Sequence, residues 1–202
     1  MGVATSLTPV SAGDRDAFVA AVRASRSLHA PWIDPADSPA RFDAWLGHLR
    51  RDDQEAYLIR HVPCGELVGY ASVSNIVRRA FQSAQLGYGA FSSHVRRGLM
   101  TEGLRSVVDL AFHELQLHRL EANIQPTNTA SLALVQRLGF EREGYSPRYL
   151  MVGSDWRDHE RWAVRTEIWS RAEASGNRAG AGADGEDPGS RRGLSSRARG
   201  AG

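Results

Sequence analysis

The sequence contains no lysine and only one cysteine, Cys64, among its 202 residues. The absence of lysine excludes any chemistry that needs a lysine amine, such as Schiff-base catalysis. A single cysteine excludes an intramolecular disulfide and a cysteine-rich metal site, and we expect no bound metal. No apolar run approaches the roughly 20 residues that a helix needs to cross a bilayer, and no signal peptide is evident. We therefore expect a cytoplasmic protein with no membrane contact.

Residues 171–202 differ in composition from the rest of the chain. They are rich in Gly, Ala, Ser and Arg and contain one large apolar residue, Leu194. Such a segment buries too little surface to offset the entropy lost on ordering, so we predict a disordered tail after one domain over residues 1–170.

The charge of the tail bears on possible partners. It holds six of the 25 basic and four of the 23 acidic residues, so its net charge of +2 equals that of the whole chain. The domain is then neutral, which argues against a nucleic-acid-binding face. RNA contacts from the tail are expected to be weak, because acidic residues are interspersed among its arginines, Arg191, Arg192, Arg197 and Arg199.

Hydrophobic periodicity predicts the order β-α-α-β-β-β-α-β-α-β-β, an α/β fold in which helices cover a mixed sheet. The first two helices are predicted over 14–28 and 38–51, a third has its apolar face over 100–115, and a fourth spans 128–139. The strands are predicted at 6–10, 56–60, 67–73, 84–90, 119–124, 148–152 and 160–167.

The turn from Arg96 to Thr101 runs directly into the third helix. The first N–H groups of a helix lack intrahelical partners, and the helix dipole favours negative charge there, so we predict a phosphate or pyrophosphate site. Gly98 would let the backbone approach the phosphate closely, and Arg96 or Arg97 would add charge-assisted bonds. The alternative is an ordinary exposed helix start with two solvated arginines. The turn lacks the Gly-Lys-Ser/Thr end of a P-loop, and Gly87–Gly89 lies inside a strand, unlike a dinucleotide fingerprint.

Four segments in order carry a family resemblance: Asn75–Arg78 followed by Gln85–Tyr88, Arg97–Glu102, Asn123–Phe140, and Glu143–Tyr145 leading to Trp156–His159. Through them most of residues 5–168 resembles a GNAT-fold N-acetyltransferase, and within that family the RimJ/RimL type that acetylates ribosomal-protein N-termini. The resemblance implies the GNAT fold, with a mostly antiparallel mixed sheet and helices on both faces. It also implies acetyl-CoA as donor and an amine as acceptor.

The resemblance also implies which residues hold the donor. Main-chain groups of Arg96, Arg97, Gly98, Leu99, Met100 and Thr101 would grip the pyrophosphate, although Val95 stands where the family usually has a polar residue. A bulge at Gly87–Gly89 would free a main-chain N–H near Ala90 or Phe91 to hold the thioester carbonyl. Asn128 would bond the pantetheine arm and cap the following helix.

Candidates for proton transfer are less well defined. Glu121 is our first candidate for the base, against an ion pair with Arg119 or Arg137, and Tyr88 and His159 are lesser candidates. Many family members place a tyrosine acid where this chain has Val135. The Rim-type resemblance instead points to Ser131 as the acid, against a solvated serine in the first helical turn.

Three function classes stay open at this point. The first is acetylation of a protein N-terminus, such as that of a ribosomal protein. The second is acetylation of a small amine, such as an aminoglycoside or a polyamine, which an acidic acceptor pocket would favour. The third is a non-catalytic acyl-CoA-binding or regulatory module. Trp32, Trp45 and Trp156 are candidates for the acceptor groove, although we expect at least two of them in the core.

Overall fold

The computed structural model describes residues 3–171, so the predicted tail lies outside the described residues except for Arg171. The strands are β1 (Thr5–Pro9), β2 (Gln54–His61), β3 (Leu67–Val77), β4 (Ser83–Ala90), β5 (Arg119–Ile124), β6 (Glu141–Val152) and β7 (Asp155–Arg165). The helices are α1 (Arg15–Ala24), α2 (Arg26–His29), α3 (Pro39–His48), α4 (Leu99–His113) and α5 (Thr129–Arg137), and residues 166–171 are also helical. None of the helices in this described part is long and apolar enough to cross a membrane.

The strands form one sheet in the order β1-β2-β3-β4-β5-β7-β6. Every neighbouring pair is antiparallel except β4 and β5, which run parallel. A parallel pair needs a crossover connection, and α4 supplies it between these two strands. The predicted mixed, mostly antiparallel sheet is confirmed.

Helices cover both faces of the sheet. Consecutive strand residues point to opposite sides, so neighbouring apolar residues of one strand pack in different cores. Ile59 packs in a core with the buried face of α4 and with Val135 of α5. Its neighbour Leu58 packs in a second core with Phe18 of α1 and Phe42 of α3. The predicted helical spacing in α4 is confirmed by four of its fully buried residues, Leu104, Val107, Val108 and Ala111.

Several predicted boundaries were wrong, and two of them have a clear physical reason. The predicted helix over 14–28 is interrupted at Ser25, whose buried hydroxyl accepts a hydrogen bond from the N–H of Ser92 at 2.9 Å. Strand β6 begins at Glu141, seven residues before the prediction, because Gly144 and Pro147 obscure its pattern. Proline is tolerated there because β6 is an edge strand.

Glu102 fixes the first turn of α4 to β1. Its Oε1 accepts hydrogen bonds from the N–H groups of Ala4 at 2.7 Å and Thr5 at 2.9 Å, and from the Thr5 hydroxyl at 3.1 Å. Burial opposes ionisation of this carboxyl, but the hydrogen bonds outweigh it and lower the pKa of Glu102. The start of α4 is therefore held in place by a charged group on the sheet side.

Candidate active site

A cleft opens where the parallel strands β4 and β5 part. They pair over only three residue pairs, from Ser83–Arg119 to Gln85–Glu121, although both strands continue, to Ala90 and Ile124. A cavity of about 230 Å³ lies at this opening, lined by β4, β5, α2 and the first turns of α4 and α5. The separated strands leave main-chain groups of β4 without a β5 partner.

The main-chain N–H of Ala90 faces this cleft. Phe91 N–H donates to the carbonyl of Val68 at 2.8 Å, so Phe91 and Val68 form a hydrogen-bonded pair of the β3–β4 ladder. Hydrogen-bonded and non-bonded pairs alternate along an antiparallel ladder, which makes Ala90 and Gly69 a non-bonded pair and turns Ala90 N–H away from β3. Of the two amides predicted to meet the thioester, the one of Phe91 is engaged with β3 and the one of Ala90 is directed into the gap.

His29, which the sequence did not single out, holds the same strand end from the side opposite β3, where it also lines the cleft. Its Nε2 lies 2.8 Å from the carbonyl oxygen of Ala90, and the side chain is buried with 4% exposed. Burial lowers the pKa of His29, against the opposing effect of the Ala90 hydrogen bond. A neutral imidazole that donates to Ala90 fixes the direction of the peptide plane at the end of β4.

The predicted phosphate turn has the geometry of an anion site. Gly98 caps α4 with φ +77°, and Arg96 also has a positive φ of +62°. Glu102 N–H is bonded to Gly98 O, so the N–H groups that precede it, up to Thr101, begin the helix without intrahelical acceptors. Within residues 3–171, the exposed Arg96 and Arg97 form no ion pair. Leu99 is buried beneath the turn, and Met100 belongs both to the turn and to the lining of the cleft.

Asn128 and Ser131 lie at the start of α5, on the opposite side of the cleft. Asn128 is the N-cap, with its Oδ1 accepting from Ser131 N–H at 3.2 Å, as predicted. Both residues line the cleft, so Asn128 presents its amide there while it caps the helix.

Tyr88 joins β4 to α5 across the cleft. Its hydroxyl lies 2.5 Å from Ser131 Oγ and 3.4 Å from the Ser131 carbonyl oxygen. Burial raises the pKa of Tyr88 to about 12, although the hydrogen bond from Ser131 works against that rise. Tyr88 therefore stays protonated at neutral pH and is suited to donate a hydrogen bond. Its environment does not favour the predicted role of a base.

Glu121 does not line the cleft. Its Oε1 accepts from Arg119 Nε at 2.7 Å, and the same guanidinium also contacts Glu143. Glu121 and Asn123 share one face of β5, as predicted, but Asn123 reaches the cleft and Glu121 lies where the strands are still paired. The ion pair with Arg119 is the arrangement that the structure contains.

A second and larger cavity, of about 760 Å³, adjoins the cleft. It is lined by the loop after α2, by α3 and by the β6–β7 hairpin. The two cavities share four residues: Trp32, Ile33, Asn123 and His159. Of these four, His159 alone has a titratable side chain.

His159 is buried with 4% exposed, and its Nδ1 lies 3.0 Å from the carbonyl oxygen of Arg157. Burial lowers the pKa of His159, although the Arg157 carbonyl and the charge of Asp158 oppose this. A neutral ring that donates from Nδ1 leaves Nε2 with a free lone pair at the junction of the cavities. His159 was only a lesser candidate in the sequence, because a lone histidine is more often a structural hydrogen-bonding residue and carries no specific signal.

The expectation that two of the three candidate tryptophans are core residues was wrong. Trp32 and Trp45 are half-buried and line the second cavity, and Trp156 is exposed. The buried tryptophans are Trp162 and Trp169. Gln125, also overlooked, donates from Nε2 to the carbonyl of Trp32 at 3.1 Å and so positions the loop between the cavities.

The fold and the cleft between parting strands define an acetyltransferase of the GNAT class. The chain belongs to this family, because the family model described as "Acetyltransferase (GNAT) domain" matches residues 5–141. It is an acetyl-CoA-dependent N-acetyltransferase of the RimJ type. The predicted fold, enzyme class and family resemblance are thereby confirmed.

Particular relatives refine this placement. The chain is 34% identical over 167 residues to the [ribosomal protein uS5]-alanine N-acetyltransferase of Escherichia coli, covering 78% of this chain and 86% of that protein. The structure of Mycobacterium smegmatis RimJ in complex with CoA-disulfide has a TM-score of 0.75 at 30% identity, over 85% of this chain and 89% of that one. A Vibrio cholerae spermidine N-acetyltransferase in complex with CoA and spermine shares the fold, with a TM-score of 0.72 at 15% identity over 84% of this chain and 99% of that one.

Proposed function

We propose that this enzyme transfers the acetyl group of acetyl-CoA to the N-terminal α-amino group of a protein, such as a ribosomal protein. The observation that carries the proposal is the junction of two cavities at Asn123 and His159, one suited to the donor thioester and the other open to an acceptor. The name of the Escherichia coli relative supports the choice of acceptor.

The donor is held mainly by main-chain groups. The pyrophosphate lies at the start of α4, over the N–H groups that end at Thr101 and beside Arg96 and Arg97. From there the pantetheine arm passes Met100 into the cleft, where Asn128 bonds it. The thioester carbonyl accepts from Ala90 N–H, which stabilises the oxyanion as the amine attacks.

His159 is the base in this proposal, in place of Glu121. An α-amino group has a pKa of roughly 7.7–8.0, so part of it is already neutral at neutral pH. Its nitrogen forms a bond to the thioester carbon, and the surplus proton passes to His159 Nε2, directly or through one water. Glu121 is already bound to Arg119 and does not reach the junction.

The departing thiolate is stabilised by the Tyr88–Ser131 hydroxyl pair. When the C–S bond breaks, Ser131 Oγ donates a hydrogen bond to the sulfur while Tyr88 donates to Ser131. The pKa of Tyr88, about 12, lies above that of an ordinary thiol, roughly 8.5. Full transfer of the tyrosine proton is therefore unfavourable. The thiolate becomes the thiol by taking up the proton that the amine first gave to His159.

The charge of the second cavity favours a peptide over a polyamine. Asp34 is the one acidic residue that the described part of the chain contributes to its lining, and Asp34 Oδ2 is paired with Arg41 at 2.9 Å. A polycationic acceptor needs unpaired carboxylates, whereas the aromatic and aliphatic lining suits the side chains that follow a protein N-terminus. Ser131 and Tyr88 face the cleft, which argues against a purely non-catalytic module.

The test is thiol release from acetyl-CoA with four acceptors: peptides that begin with alanine or serine, the same peptides with a blocked N-terminus, spermidine, and an aminoglycoside. We expect turnover only with the free peptide N-termini. Turnover with spermidine or the aminoglycoside alone would replace the proposed acceptor, and tight acetyl-CoA binding without any turnover would favour the non-catalytic module.

A further inference from the structure

Three side chains with metal-binding atoms meet at one end of the sheet, away from both cavities. His61 ends β2, Cys64 lies in the turn to β3, and His94 lies in the 3-10 turn (Ser92–His94) after β4. One ligand atom from each lies within 4.8 Å of the other two. His61 Nδ1 is 3.0 Å from Cys64 Sγ, and the two imidazole rings lie 5.1 Å apart.

His94 is the observation that points to a ligand. Its side chain is buried with 6% exposed, and its Nε2 lies 2.8 Å from Glu66 Oε2. Its Nδ1 is buried and has no hydrogen-bond partner among residues 3–171, which is costly for a polar atom. With Nε2–H donating to the carboxylate, Nδ1 carries a lone pair. Metal-binding histidines are typically held in this way, with a carboxylate on the far nitrogen.

The hairpin turn brings His61 and Cys64 together. They are separated by two residues, a spacing common in structural zinc sites. Gly65 follows with φ +71°, and its N–H donates to His61 O at 2.7 Å, which closes the turn. Two imidazoles and one thiolate form a donor set that suits Zn²⁺ and related transition metals, rather than Mg²⁺ or Ca²⁺.

A simple contact between Cys64 and His61 is the competing interpretation. A thiol–imidazole hydrogen bond accounts for the 3.0 Å distance between Nδ1 and Sγ. It accounts neither for the unpaired Nδ1 of His94 nor for the carboxylate on the other nitrogen of that ring. A shared ion accounts for all three observations.

We propose that His61, Cys64 and His94 bind one zinc-class divalent metal ion, with Glu66 orienting His94 and with water completing the coordination. This revises the expectation of no metal, which considered only cysteine-rich sites. None of the three ligands lines the cleft or the second cavity, so the site is structural. It joins the β2–β3 hairpin to His94, two residues before the turn Arg96–Thr101, and so holds the start of that turn in place.

The experiment uses the full chain without a histidine tag, stripped with a chelator and titrated separately with Zn²⁺ and Co²⁺. We expect one equivalent of metal, a tetrahedral Co²⁺ spectrum with a thiolate charge-transfer band, and a higher Tm with Zn²⁺. Cys64→Ala, an exposed position, should abolish the charge-transfer band, and Glu66→Gln should weaken Zn²⁺ affinity about 10–100-fold.

His118→Gln is the matched control, because the His118 side chain is exposed and its Nε2 lies 2.8 Å from a carboxylate, that of Glu167. It should bind metal as the natural chain does. Sub-stoichiometric metal, or a Co²⁺ spectrum unchanged by Cys64→Ala, would overturn the proposal. These readouts do not depend on acetyl transfer, so they stand or fall separately from the proposed activity.

Discussion

The hydroxyl of Tyr88 lies 2.5 Å from Ser131 Oγ and links the strand that carries Ala90 to the first turn of α5. In the proposed mechanism, the hydrogen-bond donor to the departing thiolate is thus a pair of hydroxyls, not a single side chain. Because the two hydroxyls act in series, removing either one should remove most of the effect of both.

Ser131→Ala should therefore lower kcat by about 10²-fold with little change in acetyl-CoA affinity. Tyr88→Phe should lower kcat by a similar factor, and the double variant should be scarcely worse than either single variant. Steady-state kinetics together with calorimetric titration of acetyl-CoA measure both quantities. An unchanged kcat in Ser131→Ala would remove Ser131 from the mechanism.

His159→Gln should lower the plateau of kcat/KM by about 10²-fold without shifting its acid limb. The pKa of His159 is lowered, so the ring stays neutral down to pH values below the ordinary 6.5. The acid limb is then set by the acceptor amine, with a pKa of roughly 7.7–8.0. A pH–rate profile checks this, and an acid limb that disappears in the variant would contradict it.

Gly98→Ala should raise the KM for acetyl-CoA, and Gly139→Ala provides a matched comparison. Both glycines have positive φ, +77° and +81°, and at neither would a Cβ meet another atom within 4 Å. Each substitution should cost about 1–2 kcal/mol of stability through backbone strain alone. Of the two, only Gly98 lies at the predicted phosphate turn, so equal KM increases in the two variants would argue against that site.

Two other glycines should respond with opposite signs. A Cβ at Gly103 in α4 would overlap Ile59 Cγ2, and Ile59 is fully buried and stiff. Gly103→Ala should destabilise the fold, because overpacking costs about 1–3 kcal/mol. Gly47→Ala in α3 meets nothing within 4 Å and should stabilise by about 0.5 kcal/mol. Urea unfolding of both variants measures the difference.

Glu102→Gln should destabilise the protein by about 1–3 kcal/mol near pH 7, because the charged acceptor for Ala4 and Thr5 is lost. The pKa of Glu102 is lowered in the folded state. The stabilisation is therefore present above the unfolded pKa, roughly 4.3, and is lost as the pH falls through the folded value. The difference in unfolding free energy between the two chains should shrink in that window, and a constant difference would argue against an ionised Glu102.

Periodicity in the sequence was sufficient for the order of the strands and main helices along the chain and for α4, because their apolar residues recur at regular spacing. It could not place the start of β6, where an edge strand tolerates Gly144 and Pro147. Local turn chemistry identified Gly98 and Asn128, whose roles depend on nearby residues. His29 was missed and His159 was only a lesser candidate, because each becomes significant only through a carbonyl or a cavity that tertiary packing brings to it.

The division of the site between two sets of elements has a consequence for how such enzymes diversify. In the proposed function, the donor half depends mostly on main-chain groups of β4 and α4, which side-chain substitutions leave in place. The proposed acceptor half is formed by the loop after α2, by α3 and by the β6–β7 hairpin, which supply none of the proposed phosphate-binding groups. Acceptor choice is therefore free to drift while the acetyl donor stays constant.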